Sequence, residues 1–346
     1  MDKYPEIVTE RFDSANFHIN YCLSFVKKHI KGNILEVGAG CGSFTKNYLN
    51  KIKSNQITLT ELDKKNFADL KERFKDNKNI EVVKLLSFFI NLGINYQSFP
   101  KNKQDEMIQE MLNDKLDEAI KKYNFDLLII DEAQDVNKIF WDFFKTWVEL
   151  SDARWIIFYD SNQSIRYSDW KPPESNVPPL ILSTILRSTE EISKKTLNVF
   201  GKTAIFTEEG IKPEYIRIKS TNHDQKILEG NNHISQSVKS LIEDQGFHPD
   251  QIKILTPSSR FRDSLIKTEY IDNKILSESR VEITSIFKFK GLESDIILIA
   301  AYDLESLEHE FFSSPESLMY TAMGRAKVHL VIYGDKEVKK LIKWNK

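Results

Sequence analysis

Short apolar runs of strand length alternate along this chain with longer stretches in which charged and apolar residues recur at helical spacing. "NILEV", "QITLT", "IEVV", "DLLII" and "RWIIFY" make a first set of strands, and "IKILT", "VEIT", "DIILIAA" and "HLVIY" a second. Between strands, "FADLKERF" and "DEMIQEMLNDKLDEAIKKY" read as helices, the second with a largely solvated face. Strands separated by helix-length segments imply parallel sheets with crossover helices, so the fold class expected is α/β. "DWKPPESNVPPL", 169–180, can neither continue a helix nor sit in a central strand, and reads as an extended loop after the fifth strand. Segment 201–235 is weakly patterned and polar, which sets the expected division at a first lobe over 1–200 and a second over 201–346.

Composition narrows the picture only a little. A chain of 346 residues, 40% of them hydrophobic, can fill two cores of ordinary size. The net charge of -2 offers no global field for a polyanion, so any nucleic-acid contact has to come from a local basic surface. Cys22 and Cys41 lack metal-ligand spacing and make no disulfide framework, and "MDKYPEIVTERF" has no apolar signal core. No apolar run approaches the ~20 residues that span a bilayer. The expectation is a soluble, cytoplasmic protein with no membrane partner.

Two stretches carry chemistry. "FDLLIIDEAQD", 125–135, ends four consecutive apolar residues with Asp131 and Glu132 at the carboxyl end of a buried strand, where open α/β sheets hold their ligands. Adjacent acids there suit phosphoryl chemistry, one holding Mg²⁺ and the next orienting or deprotonating the attacking water. "NILEVGAGCGSFTKNYL", 33–49, runs a strand through Gly38, Gly40 and Gly42 into a helix, the build of a nucleotide-binding loop, yet without the lysine of ATP-binding loops.

"DEAQD" after an apolar strand resembles the Walker B motif of superfamily 1 helicases of the UvrD/Rep type, and further segments follow in that family's order. "FYDSNQSI", 158–165, is similar to Gly-Asp-x-x-Gln-x-Ile and offers Gln163 as the γ-phosphate sensor, with Tyr159 in place of glycine. "LSTILRSTEEIS", 182–193, resembles the Asn-Tyr-Arg-Ser segment, with Arg187 as a charge-stabilising arginine and Leu186 in place of the base-stacking tyrosine. "VEITSIFKFKGLESDIIL", 281–298, looks like Thr-x-His-x-x-Lys-Gly-Leu-Glu, matching at Lys290, Gly291, Leu292 and Glu293 and departing at Ser285 and Phe287. "LMYTAMGRAKVHLVIYG", 318–334, is close to Tyr-Val-Ala-x-Thr-Arg-Ala-Lys, with Arg325 as a second arginine finger and Gly324 in place of threonine. An arginine suits this task because its planar, permanent charge can meet γ-phosphate oxygens in the transition state.

The resemblance implies two RecA-like parallel-sheet lobes of P-loop NTPase type, a minimal core without large inserted subdomains. It implies ATP and Mg²⁺ as ligands, with Asp131, Glu132, Gln163, Arg187 and Arg325 catalytic, Asp131 the metal ligand and Glu293 nucleotide-binding. Single-stranded DNA or RNA would bind between the lobes, with Lys288, Lys290 and Lys327 on its phosphates, and a protein partner is a further expectation. Against the family's Gly-x-Gly-x-Gly-Lys-Thr, this loop reads Gly38-Ala39-Gly40-Cys41-Gly42-Ser43-Phe44-Thr45, so Ser43 replaces the lysine and Phe44 the Mg²⁺-binding threonine. No glutamine precedes Gln56, so the adenine-reading glutamine is missing too. The expected activity is a weakened or inactive nucleic-acid-dependent ATPase.

The opening stretch also resembles class I S-adenosylmethionine-dependent methyltransferases. "ILEVGAGCGSFT" and "QITLTELDKK" are similar to that family's first two motifs, with Glu36 on strand one and Glu61 or Asp63 at the end of strand two, able to bridge ribose hydroxyls. S-Adenosylmethionine in this loop is the alternative reading, and a non-catalytic nucleic-acid scaffold is a third. "TELDKKNFADLKERF" and "IEVVKLLSFF" also resemble the helicase's Thr-x-x-x-Lys and Thr-x-His-Ser-Phe segments, so one motor lobe accounts for the whole N-terminal half.

Overall fold

Parallel pairing governs every strand among the described residues of the computed structural model, and the chain falls into two units. One is built from Ala15–Ser161 with Ser168–Glu174, the other from Asn162–Tyr167 with Ser175–Lys346. The structure describes residues 15–49, 54–91, 104–164, 170–174, 178–182, 184–185, 187–206, 209–267, 281–308 and 314–344. The opening segment "MDKYPEIVTERF", the middle of the proline-rich stretch and Leu186 lie outside them. The described parts of that stretch, 170–174 and 178–180, have no regular structure, as its prolines require.

The first unit holds β1 (Gly32–Val37), β2 (Ser54–Glu61), β3 (Ile80–Lys84), β4 (Leu127–Ile130) and β5 (Arg154–Ile157). Their order across the sheet is β3-β2-β1-β4-β5. The chain thus winds outward from β1 in one direction, returns, and winds outward through β4 in the other, which makes the gap between the carboxyl ends of β1 and β4 the topological switch point. Alternation along each strand supplies both faces. Leu35, Val37, Leu128 and Ile130 pack with Phe88, Phe89, Phe144 and Trp147, while Ile34, Ile57, Leu59, Leu127 and Ile129 pack on the other side with Leu23, Tyr48, Leu70 and Phe74. Both faces of Leu127–Ile130 are therefore buried, for the same reason that "LLII" contains no polar position.

The second unit contains β6 (Thr184–Ile185) and β7 (Ile205–Phe206), paired as a small separate sheet, and β8 (Glu214–Arg217), β9 (Ile252–Thr256), β10 (Glu282–Ser285), β11 (Ser294–Ala300) and β12 (Ala326–Gly334). The five longer-range partners are ordered β10-β9-β11-β12-β8. Two α/β units, each with a five-stranded parallel sheet, bear out the fold class. β8 lies inside segment 201–235, where the sequence pattern is weak, because "EYIR" is an edge strand with only half-buried apolar residues. Among the described residues, no helix is long and apolar enough to cross a membrane.

Candidate functional site

The glycine loop sits at the switch point, and left-handed backbone shapes it: φ is +80° at Gly38, +56° at Gly40 and +79° at Gly42. A Cβ on Gly42 would fall 2.5 Å from the Phe74 ring and 2.6 Å from Leu70, whereas a Cβ on Gly40 would meet nothing within 4 Å. Much of the loop's hydrogen-bonding capacity is taken internally. Gly38 and Ala39 donate their amides to the Thr60 carbonyl at 3.1 and 3.0 Å. Gly40 donates to Glu61 Oε2 at 2.7 Å, and Glu61 Oε1 accepts from the amides of Leu62 and Asp63 at 2.7 and 2.8 Å. A carboxylate of the chain itself thus occupies an amide of the kind that phosphate-binding loops offer to a ligand.

Behind the loop, the helix Ser43–Leu49 turns Thr45 and Tyr48 toward β1, as their spacing of one helical turn requires. Both hydroxyls donate to Glu36 Oε2, at 2.9 and 2.8 Å. Glu36 is buried, and burial raises its pKa to about 7. The two hydroxyl donors oppose that rise, and the nearby Asp131 charge adds to it. Ser43 keeps its hydroxyl 3.2 Å from Cys41 Sγ and accepts from the Arg73 guanidinium at 3.5 Å. Glu36, Asp131 and, through Gly40, Glu61 thus put carboxylates around the glycine loop, where Ser43 stands in the sequence position of a phosphate-binding lysine.

At the end of β4, Asp131 is exposed and Glu132 half-buried. The Asp131 amide donates to the Val37 carbonyl at 3.2 Å, which sets the acidic turn beside the glycine loop. Glu132 has φ 48° and ψ 45°, a conformation that a non-glycine residue adopts only when its surroundings enforce it. Its amide donates to Asp131 Oδ1 at 2.9 Å, and Ala133 donates to the Phe158 carbonyl at 3.0 Å. The buried Gln134 completes the turn: its Nε2 donates to Glu132 Oε2 at 2.5 Å, while its Oε1 accepts from the Asp160 amide at 3.2 Å. Among the described residues, no group of three or more His, Cys, Asp or Glu side chains is placed to hold a metal.

The second unit gathers most of the remaining helicase-like residues. Arg325 is buried and donates through Nη2 to Gln163 Oε1 at 2.6 Å and through Nε to the Thr321 carbonyl at 3.1 Å. Lys290 donates to the Gln163 main-chain carbonyl at 2.5 Å. Arg187 pairs with Glu293 at 3.3 Å, and Lys327 with Asp295 at 3.1 Å. Lys288 is exposed. Trp141 stacks on Trp155 and is met edge-on by Trp170, so these rings are packed against one another. Sequence reasoning did not anticipate the Glu36–Thr45–Tyr48 network, the Gly40–Glu61 bond or the bridge at Gln134. Only the last had a signal, an amide side chain between two acids of "DEAQD".

Two family models divide the chain between them. Residues 13–170 match the UvrD/REP helicase N-terminal domain, and residues 179–337 match an AAA domain. No curated protein matches. Among solved structures, the C-terminal domain of a possible DNA helicase from Lactobacillus plantarum WCFS1 is 18% identical, with a TM-score of 0.33, over 45% of this chain and 90% of that one. A SAM-dependent methyltransferase from Leishmania major is 18% identical, with a TM-score of 0.26, over 41% of this chain and 49% of that one. The chain thus spans about half the length of that methyltransferase. A UvrD/REP helicase N-terminal domain matched over residues 13–170 and an AAA domain matched over residues 179–337 together support a UvrD-like superfamily 1 helicase.

Proposed function

We propose that this protein is a helicase-like, nucleic-acid-dependent ATPase in weakened or inactive form, with single-stranded DNA or RNA as its partner. The observation that carries the reading is the bond from Gly40 to Glu61. An amide of the glycine loop is held by a carboxylate, the lysine position is Ser43, and the Thr45 hydroxyl is committed to Glu36. In this conformation the loop does not fit a triphosphate, whose negative charge would meet carboxylates and no lysine. The acidic turn does fit its expected work, because Asp131 is an exposed carboxylate at a strand end and Glu132 is held beside it. Mg²⁺ bound at Asp131 would neutralise developing charge on a phosphoryl group. Glu132 would take the proton of the attacking water, Gln163 would sense the γ-phosphate, and Arg187 and Arg325 would meet its oxygens. Lys288, Lys290 and Lys327 would contact nucleic-acid phosphates, two of them by exchanging their present partners for a phosphate.

A second reading has its own observation. The order β3-β2-β1-β4-β5, with Glu61 ending the strand next to the glycine loop, is that of dinucleotide-binding sheets whose acid holds ribose hydroxyls. S-Adenosylmethionine would enter there without needing a phosphate cradle, with Glu36 and Glu61 as its acids. Calorimetric titration with Mg-ATP and, separately, S-adenosylmethionine, each with and without a single-stranded oligonucleotide, tests both. The first reading expects weak Mg-ATP binding and slow hydrolysis that Asp131→Asn or Glu132→Gln abolishes; hydrolysis indifferent to both substitutions sinks the assigned site. Saturable binding of S-adenosylmethionine alone would replace the first reading by the second.

A further inference from the structure

We propose that the turn leading from the helix Ala15–Val26 into β1 is a docking surface for single-stranded nucleic acid, built from Phe25, Lys27, Lys28 and Lys31. Such binding needs neither a nucleotide nor S-adenosylmethionine, so it stands apart from both readings of the glycine loop. A net charge of -2 leaves any polyanion contact to a local basic surface, and this turn supplies one. From Ala15 to Leu35 no Asp or Glu occurs, although the chain carries 51 of them. Lys27, Lys28 and Lys31 are exposed and make no ion pair among the described residues. Lysines on other helices behave differently: Lys75, Lys115, Lys138, Lys145 and Lys194 each pair with an acid three or four positions away.

The fold holds this turn in place at the amino end of β1, the opposite end of the strand from the glycine loop. Leu23 and Ile30 are buried in the same core as Ile34 and Ile57, with Ile19 and Val26 packed against it. Arg154 donates to the His29 carbonyl at 3.2 Å, while Asn33 donates its amide to Asp126 at 2.7 Å and its side chain to the Asn124 carbonyl at 3.3 Å. Gly32 turns the chain between them at φ +86°, where a Cβ would strike the Asp126 carboxylate. A polyanion therefore meets lysines on an ordered backbone, and the acid at the start of the neighbouring strand is committed to anchoring it.

Phe25 decides which polyanion fits. Its ring is 37% exposed, stands two residues from Lys27 and is met edge-on by Tyr21 at 5.1 Å. An aromatic ring among phosphate-binding lysines stacks on unpaired bases, which a closed duplex does not offer. An anionic membrane fits less well, because the apolar face of this helix is already spent on the core and Phe25 is its only exposed large hydrophobic residue among the described ones.

Fluorescence anisotropy of a labelled oligothymidylate of about 20 nucleotides, titrated with the full chain without ATP across a salt series, tests this. Lys27→Ala/Lys28→Ala/Lys31→Ala should weaken binding at least about tenfold near 0.1 M salt and lower the slope of log affinity against log salt by about two, at about 0.7 per lost phosphate contact. Phe25→Ala should weaken binding at least about fivefold with the slope unchanged, and should leave binding of a duplex unaffected. Unchanged circular-dichroism melts of these surface variants exclude a folding defect. A triple-lysine variant with wild-type affinity and slope overturns the proposal, as does a loss confined to binding of phosphatidylserine vesicles. Lys288→Ala/Lys290→Ala separates this surface from the lysines of the second unit: no loss there beside a loss in the triple variant fails that earlier assignment and supports this one.

Discussion

Glu36→Gln is the perturbation whose consequence can be worked furthest from the structure. In the folded chain the Glu36 carboxyl is buried and titrates at about 7, against 4.5 when unfolded. Between those values the folded state holds a proton that the unfolded state has released, so the stabilising contribution is complete below pH 4.5 and is lost as pH rises through 7. The separation corresponds to about 3 kcal/mol at about 1.4 kcal/mol per pH unit, of which about 2.5 kcal/mol falls between pH 5 and pH 8. Glutamine keeps an oxygen that can accept from both Thr45 and Tyr48, and it does not titrate. The stability of Glu36→Gln relative to wild type should therefore climb by about 2.5 kcal/mol from pH 5 to pH 8, whatever fixed offset its extra N–H group introduces. Urea unfolding followed by tryptophan fluorescence is the assay, since Trp141, Trp147, Trp155 and Trp170 belong to the first unit. Parallel pH curves for the two proteins would refute the reasoning, because they would mean that Glu36 ionises as readily inside as outside.

Other perturbations read other parts of the molecule. His329 is buried in β12, and burial lowers its pKa to about 4. The unfolded chain takes up this proton first, so the second unit should lose up to about 3 kcal/mol as pH falls from 6.5 to below 4, and His329→Gln should flatten that loss in circular-dichroism melts. Gly40→Ala meets open space and should cost about 1 kcal/mol for its left-handed backbone, whereas Gly42→Ala also drives a methyl into Phe74 and Leu70 and should cost at least about 1 kcal/mol more in urea titrations. Arg187→Ala breaks a pair to Glu293 in which the arginine is 46% exposed, so stability should change by under about 1 kcal/mol. Any oligonucleotide-stimulated hydrolysis should fall far more than that stability change accounts for.

The central strands of the two sheets were legible because they are apolar runs long enough to be buried on both faces, as in "LLII" and "DIILIA". Their parallel pairing followed from the helices between them. β6, β7 and β8 escaped, since two-residue strands and a half-exposed edge leave no pattern to find. Local motifs pointed to the acidic turn and to the Gln163 and Arg325 segments. What the sequence did not carry is which partner each polar group chooses: that Thr45 serves Glu36, that Lys327 serves Asp295 and that Glu61 reaches the Gly40 amide. Such choices depend on strand order, and nothing in a linear pattern reveals that β1 lies between β2 and β4.

That position of β1 also bears on how the protein is made. Its partner β2 follows closely, but the residues that cover its other edge, 127–130, are synthesised about ninety residues after Val37. At about 5–20 residues per second, β1 spends several seconds as the bare rim of a three-stranded sheet made of apolar strands. Exposed edges of that kind invite pairing with other chains. Until "LLII" pairs with β1, that rim is an edge open to other chains, and its arrival closes the edge in the same step that brings the acidic turn up to the glycine loop.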